Sequence, residues 1–195
     1  WLRPAGYTTA LPWKKKKDWN FNYEGRAGKS RPYDLHDLSK LKDNQPFFAQ
    51  VQVPESHRGF HGPKKADPAK VDPPPYYPDH PTARKVWARY LDTVSVADRK
   101  FGKLLDRLEE MGVADNTIVI LMPDHGRAMV RGKQWCYDSG LHIPMIIRWP
   151  EQIEPPRQYE PGTVDDRLIS QIDVTATTLW AAGVEPPMLM QGRVF

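Results

Sequence analysis

The sequence predicts an α/β protein with a largely parallel sheet, and three observations predict it. Residues 81–111 repeat apolar side chains at three- and four-residue steps, which is helix periodicity. A continuous run rich in β-branched residues, Thr117-Ile118-Val119-Ile120-Leu121-Met122, follows them. An alternating segment, Phe47 to Val53, precedes them. Composition agrees: among 195 residues, 39% are hydrophobic, and seven Trp, eight Tyr and six Phe are enough to build a core and too many for a disordered tail. No apolar run approaches the roughly 18–20 residues of a membrane span. A lone cysteine, Cys136, excludes an internal disulfide framework and a cysteine-based zinc site. The chain opens on Trp1 rather than Met and is read as part of a longer polypeptide.

Each element follows from local chemistry. In Phe47 to Val53, Ala49, Val51 and Val53 alternate with Gln50 and Gln52, as in a half-buried strand. Pro81-Thr82 opens the long helix, with Thr82 as its expected N-cap. Val86, Tyr90, Val94, Ala97, Phe101, Leu104, Leu105, Leu108 and Met111 form its apolar stripe, with Arg89, Asp98, Lys103 and Glu110 off it. Gly112 is the stop. The run 117–122 reads as a strand buried on both faces, and Ile143 to Trp149 as another strand. Leu168 to Ile172 is a further strand candidate, followed by a helix from about Asp173 to Ala182 that Gly183 ends.

Two imbalances mark the remainder. Residues 1–45 hold ten Lys/Arg and five Asp/Glu, so the +4 of the chain is concentrated there, mostly in Lys14 to Lys17. With no aromatic stripe interleaved, that run reads as a solvated loop rather than a nucleic-acid site. Many of the 20 prolines lie between Pro54 and Pro81, which excludes regular helix or central strand and predicts a long surface loop. Loops of that length are commonly functional. A second proline-rich stretch runs from Pro150 to Pro161.

Sites in open α/β sheets form beyond the carboxyl ends of strands, and two segments qualify. Asp124-His125-Gly126 follows the run 117–122; its carboxylate and imidazole can reach a cation, while the same three residues also suit an ordinary turn. Arg131-Gly132-Lys133 lies in a polar loop that can fold back over it. The second segment, Glu55-Ser56-His57-Arg58-Gly59-Phe60-His61, follows the strand at 47–53. A lone loop histidine is usually a surface residue. Proton-carrying groups beside a metal pair, however, suit a tetrahedral oxyanion such as sulfate or phosphate.

Together these residues resemble a family. Asn116 to Gly126, then Lys133, Tyr137, Gly140 and His142 to Pro150, is similar to the metal-site and substrate-lysine region of the sulfatases, in the alkaline phosphatase superfamily. Phe47 to His57 resembles their substrate-contacting strand and histidine, and His57-Arg58…His61 is closest to the heparan N-sulfatase (sulfamidase) branch. Ile172-Asp173, Gly183, Pro186 and Gln191-Gly192-Arg193 resemble the end of the large sulfatase domain.

The resemblance implies an alkaline-phosphatase-like sandwich whose mostly parallel central sheet is flanked by helices. Residues 1–195 would be the central and C-terminal part of the large domain, with the nucleophile segment and the C-terminal subdomain outside. Asp124 and His125 would be two ligands of a divalent cation, usually calcium; many members have Asn in place of His125. Lys133 would contact a sulfate oxygen, where the sulfamidase branch has Arg. His57 would contact the sulfate or protonate the leaving group. Lys16, in Lys16-Lys17-Asp18-Trp19-Asn20-Phe21, would be a further active-site lysine. The family nucleophile is a formylglycine made from Cys or Ser in a Cys-x-Pro/Ala-x-Arg context. Cys136, in Gln134-Trp135-Cys136-Tyr137-Asp138, lacks that context and reads as structural.

The expected activity is hydrolysis of a sulfate ester or N-sulfate on a small molecule or glycan, with no nucleic-acid partner. A phosphate or phosphonate ester hydrolase of the same superfamily and a non-catalytic polyanion-binding fragment are the alternatives. The sequence does not give the compartment; the family resemblance implies a periplasmic, secreted or lysosomal one.

Overall fold

The computed structural model describes residues 1–12, 33–156 and 158–195. They divide into two compact units, residues 1–52 with 155–195, and residues 53–154. In chain order the elements are β1 (Thr8–Ala10), β2 (Phe47–Ala49), α1 (Pro81–Glu110), β3 (Val119–Leu121), α2 (Asp138–Leu141), β4 (Ile146–Arg148) and α3 (Gln171–Ala181). Short 3-10 turns lie at Leu38–Asp43 and Ala114–Asn116.

In the first unit β1 and β2 pair in parallel, Thr8 opposite Phe47 and Ala10 opposite Ala49. Gln50 adds one more ladder bond by donating to Ala10 O at 3.0 Å, so the strand predicted to Val53 ends early. Asp34 secures the other side of β1, accepting from the Thr9 amide at 2.8 Å and the Thr9 hydroxyl at 2.7 Å. Burial pushes its carboxyl up, but the Thr9 donors and Arg3 outweigh that and hold it low. The expected strand at 168–172 does not form. Leu168 is fully exposed, and Ser170 is already the N-cap of α3, its amide donating to Asp173 Oδ2 at 2.8 Å. Asp173 Oδ1 accepts from the Arg193 amide at 2.8 Å, and a Cβ on Gly192 would come within 2.1 Å of Ile172 O. The two halves of the motif 172–193 thus touch directly.

In the second unit α1 spans thirty residues. Its cap is His80 rather than Thr82: His80 Nδ1 accepts from the Thr82 amide at 3.2 Å, and Pro81 takes the first helical position, where no amide hydrogen is needed. Gly112 ends it at φ +68°, a left-handed value that glycine adopts without strain. Ala88, Asp92, Thr93 and Leu108 are its buried residues, whereas Val94 is exposed, so the apolar stripe is displaced in the first half of the helix. A charged residue, Arg89, also turns inward there.

β3 and β4 pair antiparallel, Val119 opposite Arg148 and Leu121 opposite Ile146. A parallel return needs a substantial crossover, usually a helix, and α2 offers a single turn. All three β3 residues are half-buried rather than enclosed on both faces. No helix of the described residues is long and apolar enough to cross a membrane.

Candidate active site

The site is built from two loops of the second unit. The first, residues 53–80, holds neither helix nor strand, as its prolines dictate. Side chains of α1 hold its backbone instead. Asp92 Oδ1 accepts from the amides of Lys65 at 3.0 Å and Ala66 at 2.8 Å. Arg89 pairs with Asp92 at 2.8 Å and donates to the carbonyls of Phe60 at 2.7 Å and Gly62 at 2.9 Å. Arg84 donates to Val71 O at 2.7 Å, and Lys100 pairs with Glu55. Burial pushes the Asp92 carboxyl up; the two amides and Arg89 more than offset this and keep it ionised. These contacts fix a sharply bent segment, with Ser56 at φ +72°, Gly59 at +117° and Phe60 at +41°. His57 stands inside it.

The second loop, residues 122–137, is tied by its own backbone and by that of α2. The Gly126 amide donates to Gly140 O at 3.0 Å, the Lys133 amide to Arg127 O at 2.8 Å and the Trp135 amide to Gly132 O at 3.1 Å. The strands of this knot approach so closely that side chains are excluded. A Cβ would lie 2.0 Å from Ser139 O at Gly126, 2.0 Å from Arg127 O at Gly132 and 2.2 Å from Trp135 O at Gly140. Asp124, His125 and Lys133 ride on this knot.

The two loops meet at two of the candidate side chains. Lys133 Nζ lies 3.3 Å from His57 Nε2, across 76 residues of sequence. His57 Nδ1 lies 3.2 Å from Arg58 O, which assigns its proton to Nδ1 and leaves Nε2 as the acceptor facing the ammonium. Asp124 is 85% exposed, and its Oδ2 stands 3.5 Å from His125 Nε2. His125 Nδ1 lies 2.8 Å from Gly126 O, so its other nitrogen faces the carboxylate.

An exposed carboxylate oxygen and a lone-pair nitrogen at that separation can share one cation at ligand distances of about 2.0–2.6 Å. They fit as two members of a ligand set. Among the described residues no cluster of three His, Cys, Asp or Glu stands ready for a metal. Lys16, the further lysine expected from the sequence, lies outside the described residues. Cys136 is exposed.

Sequence reasoning missed the aromatic bracing between the loops. Tyr77 donates to Val130 O at 2.8 Å. Arg127 bonds the Tyr76 hydroxyl and lies 5.2 Å from the Trp87 ring centre. Arg131 lies 5.3 Å from the Tyr76 ring and 5.1 Å from Tyr137. The available signal was the pair Tyr76-Tyr77 inside a proline tract, with two arginines four residues apart on the opposite loop.

With this geometry in hand, comparison with known proteins defines the class. The sulfatase family model matches residues 33–184. A solved phosphonate monoester hydrolase from Silicibacter pomeroyi superposes with a TM-score of 0.64 at 24% identity, over 82% of this chain and 40% of that one. The fold is therefore α/β of the alkaline-phosphatase-like type. The chain belongs to the sulfatase family. It is 29% identical to an ulvan-active sulfatase of Formosa agariphila over all of this chain and 38% of that protein. It is 28% identical to the human N-sulphoglucosamine sulphohydrolase over 72% of this chain and 32% of that protein. The chain thus spans about two fifths or less of the proteins it matches here.

Proposed function

We propose that these residues form one side of a site that hydrolyses sulfate esters or N-sulfates on glycans. The single observation that carries the reading is the approach of Lys133 Nζ to His57 Nε2 at 3.3 Å, on loops held by different means. Family membership supports it.

Lys133 would bind a sulfate oxygen through its ammonium, neutralising charge that grows as the S–O or S–N bond stretches. His57 is oriented by its Nδ1–H bond to Arg58 O, so Nε2 is the atom that would take up a second proton from solvent and pass it to the leaving oxygen or nitrogen. Asp124 and His125 would hold a divalent cation, calcium by family analogy, which supplies charge neutralisation at the sulfate oxygens. A formylglycine would supply the nucleophile. Cys136 does not stand in the sequence context for that modification, so the nucleophile would come from outside these 195 residues. In this reading residues 1–195 are the central and C-terminal part of the large sulfatase domain.

The test is sulfate release from sulfated oligosaccharides by a longer polypeptide containing these residues, with a phosphorylated analogue alongside. His57→Ala is expected to lower kcat by roughly 10²–10⁴-fold, the usual worth of a positioned acid. Unchanged kcat, faster turnover of the phosphorylated analogue, or sulfate release by the 195 residues alone would overturn the reading.

A further inference from the structure

Around the His57–Lys133 contact the cations outnumber what one sulfate requires. Arg58, Arg127, Arg131 and Lys133 all lie on the two meeting loops, and among the described residues none of the four is in an ion pair. One sulfate monoester carries a single negative charge, and Lys133 already faces the place where it would sit. Crowded like charges are unfavourable unless an anion joins them.

Arg127 and Arg131 differ in how they are used. Arg127 is consumed by the fold: it bonds Tyr76, lies over Trp87, and its Nε is buried. Arg131 is exposed, and its guanidinium makes no hydrogen bond to a described residue. It is nevertheless held in place. Its guanidinium sits over the rings of Tyr76 at 5.3 Å and Tyr137 at 5.1 Å, its backbone is at φ +60°, and its carbonyl accepts from the Ser139 hydroxyl. Ring contacts use none of a guanidinium's N–H donors, so the fork stays available, and such a fork can grip a carboxylate or sulfate with two bonds. Two residues along the chain cannot separate the Arg131 and Lys133 Cα atoms by more than about 7 Å. The fork therefore belongs to the same short loop segment as the Lys133 ammonium, within reach of one bound oligosaccharide.

We infer that Arg131, braced by Tyr76 and Tyr137, is a second anion subsite. The glycan taken at this site carries another acidic group, a carboxylate or a second sulfate, beside the sulfate at Lys133 and His57. This rests on the proposed function and extends it from one sulfate to a substrate with at least two negative charges.

The test is equilibrium binding by calorimetry with three disaccharides: one monosulfated and uronate-bearing, its carboxyl-reduced counterpart, and a disulfated one. The wild-type protein is expected to prefer one or both of the doubly acidic sugars over the carboxyl-reduced one by roughly ten- to a hundredfold, the worth of a charge-assisted bond. Which sugar is preferred identifies the second group. Arg131→Gln should erase the preference and leave binding of the carboxyl-reduced sugar unchanged, and Arg131→Lys should retain part of it. Equal wild-type affinity for all three sugars, or an equal loss for all three in Arg131→Gln, would overturn this inference alone. If none of the three binds the wild-type protein, the sulfate reading itself fails and takes this inference with it.

Discussion

The two loops that meet at His57 and Lys133 reach the same place by opposite means. Residues 53–80 have almost no regular backbone bonding of their own and are held by side chains of α1: Asp92 on the amides of Lys65 and Ala66, Arg89 on the carbonyls of Phe60 and Gly62. Residues 122–137 are held by backbone on backbone, at distances only glycine allows. Buried charge holds the first loop, and the absence of side chains holds the second. A loop of the first kind fails when a distant helix residue changes. A loop of the second kind fails when a methyl group is added to it.

The largest expected effect comes from the α2 turn on which the second loop closes. Gly140→Ala would push a Cβ into Trp135 O and Gly132 O, which lie 2.2 and 2.6 Å from where it would sit. Backbone atoms cannot give way as a flexible side chain can, so the cost should reach or exceed the usual overpacking penalty of about 1–3 kcal/mol. Thermal denaturation should show it, together with loss of the protection of the Gly126 and Lys133 amides against hydrogen exchange. A variant as stable as the wild type would mean the knot is looser than described.

Next in size is Asp92→Ala. It removes the acceptor of two amides and the partner of Arg89, a loss of about 1–3 kcal/mol for a buried polar group left without its partner. Faster exchange and proteolysis should be confined to residues 53–80. Equal loosening of 122–137 would show that the loops are one cooperative unit.

Acid should repeat this effect in the wild-type protein. The folded Asp92 carboxyl titrates below its ordinary value, so its contribution is fully present above about pH 4, the unfolded carboxylate range, and is lost as pH falls through the lower folded value. Protection of the Lys65 and Ala66 amides should therefore hold at pH 5 and fall away only below about pH 4. Loss already at pH 6 would point to another group.

Tyr77→Phe should be the mildest. It deletes the hydroxyl's bond to Val130 O on the other loop, worth about 0.5–1.5 kcal/mol, and keeps the ring that packs 5.8 Å from Trp87. A larger loss would make the tyrosine pair, rather than α1, the main brace between them.

Much of this was open to sequence reasoning, because it is local. The length of α1 and its stop at Gly112 follow from periodicity and one left-handed residue. The adjacency of Asp124 and His125, and the lack of helix or strand between residues 53 and 80, follow from spacing and from proline. Local reasoning failed where a tertiary partner outbid it. Thr82 is a good capping residue, yet His80 captures its amide. The segment 168–172 has strand character, but Ser170 and Asp173 start a helix inside it. Arg89 and Asp92 look like solvent-facing helix charges until the proline loop supplies the carbonyls and amides they satisfy.

The sequence by itself determined the class of protein and pointed to the residue types of the candidate site and the loops that carry them. Those are set by periodicity, turn chemistry and motif order, which act over a few residues. Only the tertiary structure decided that Lys133 faces His57 from 76 residues away, that β4 returns antiparallel to β3, and that Arg131 rests on Tyr76 and Tyr137. These pairings cost chain entropy to close and are recovered only when burial, charge and hydrogen bonding act together across the fold, so no short window of sequence contains them.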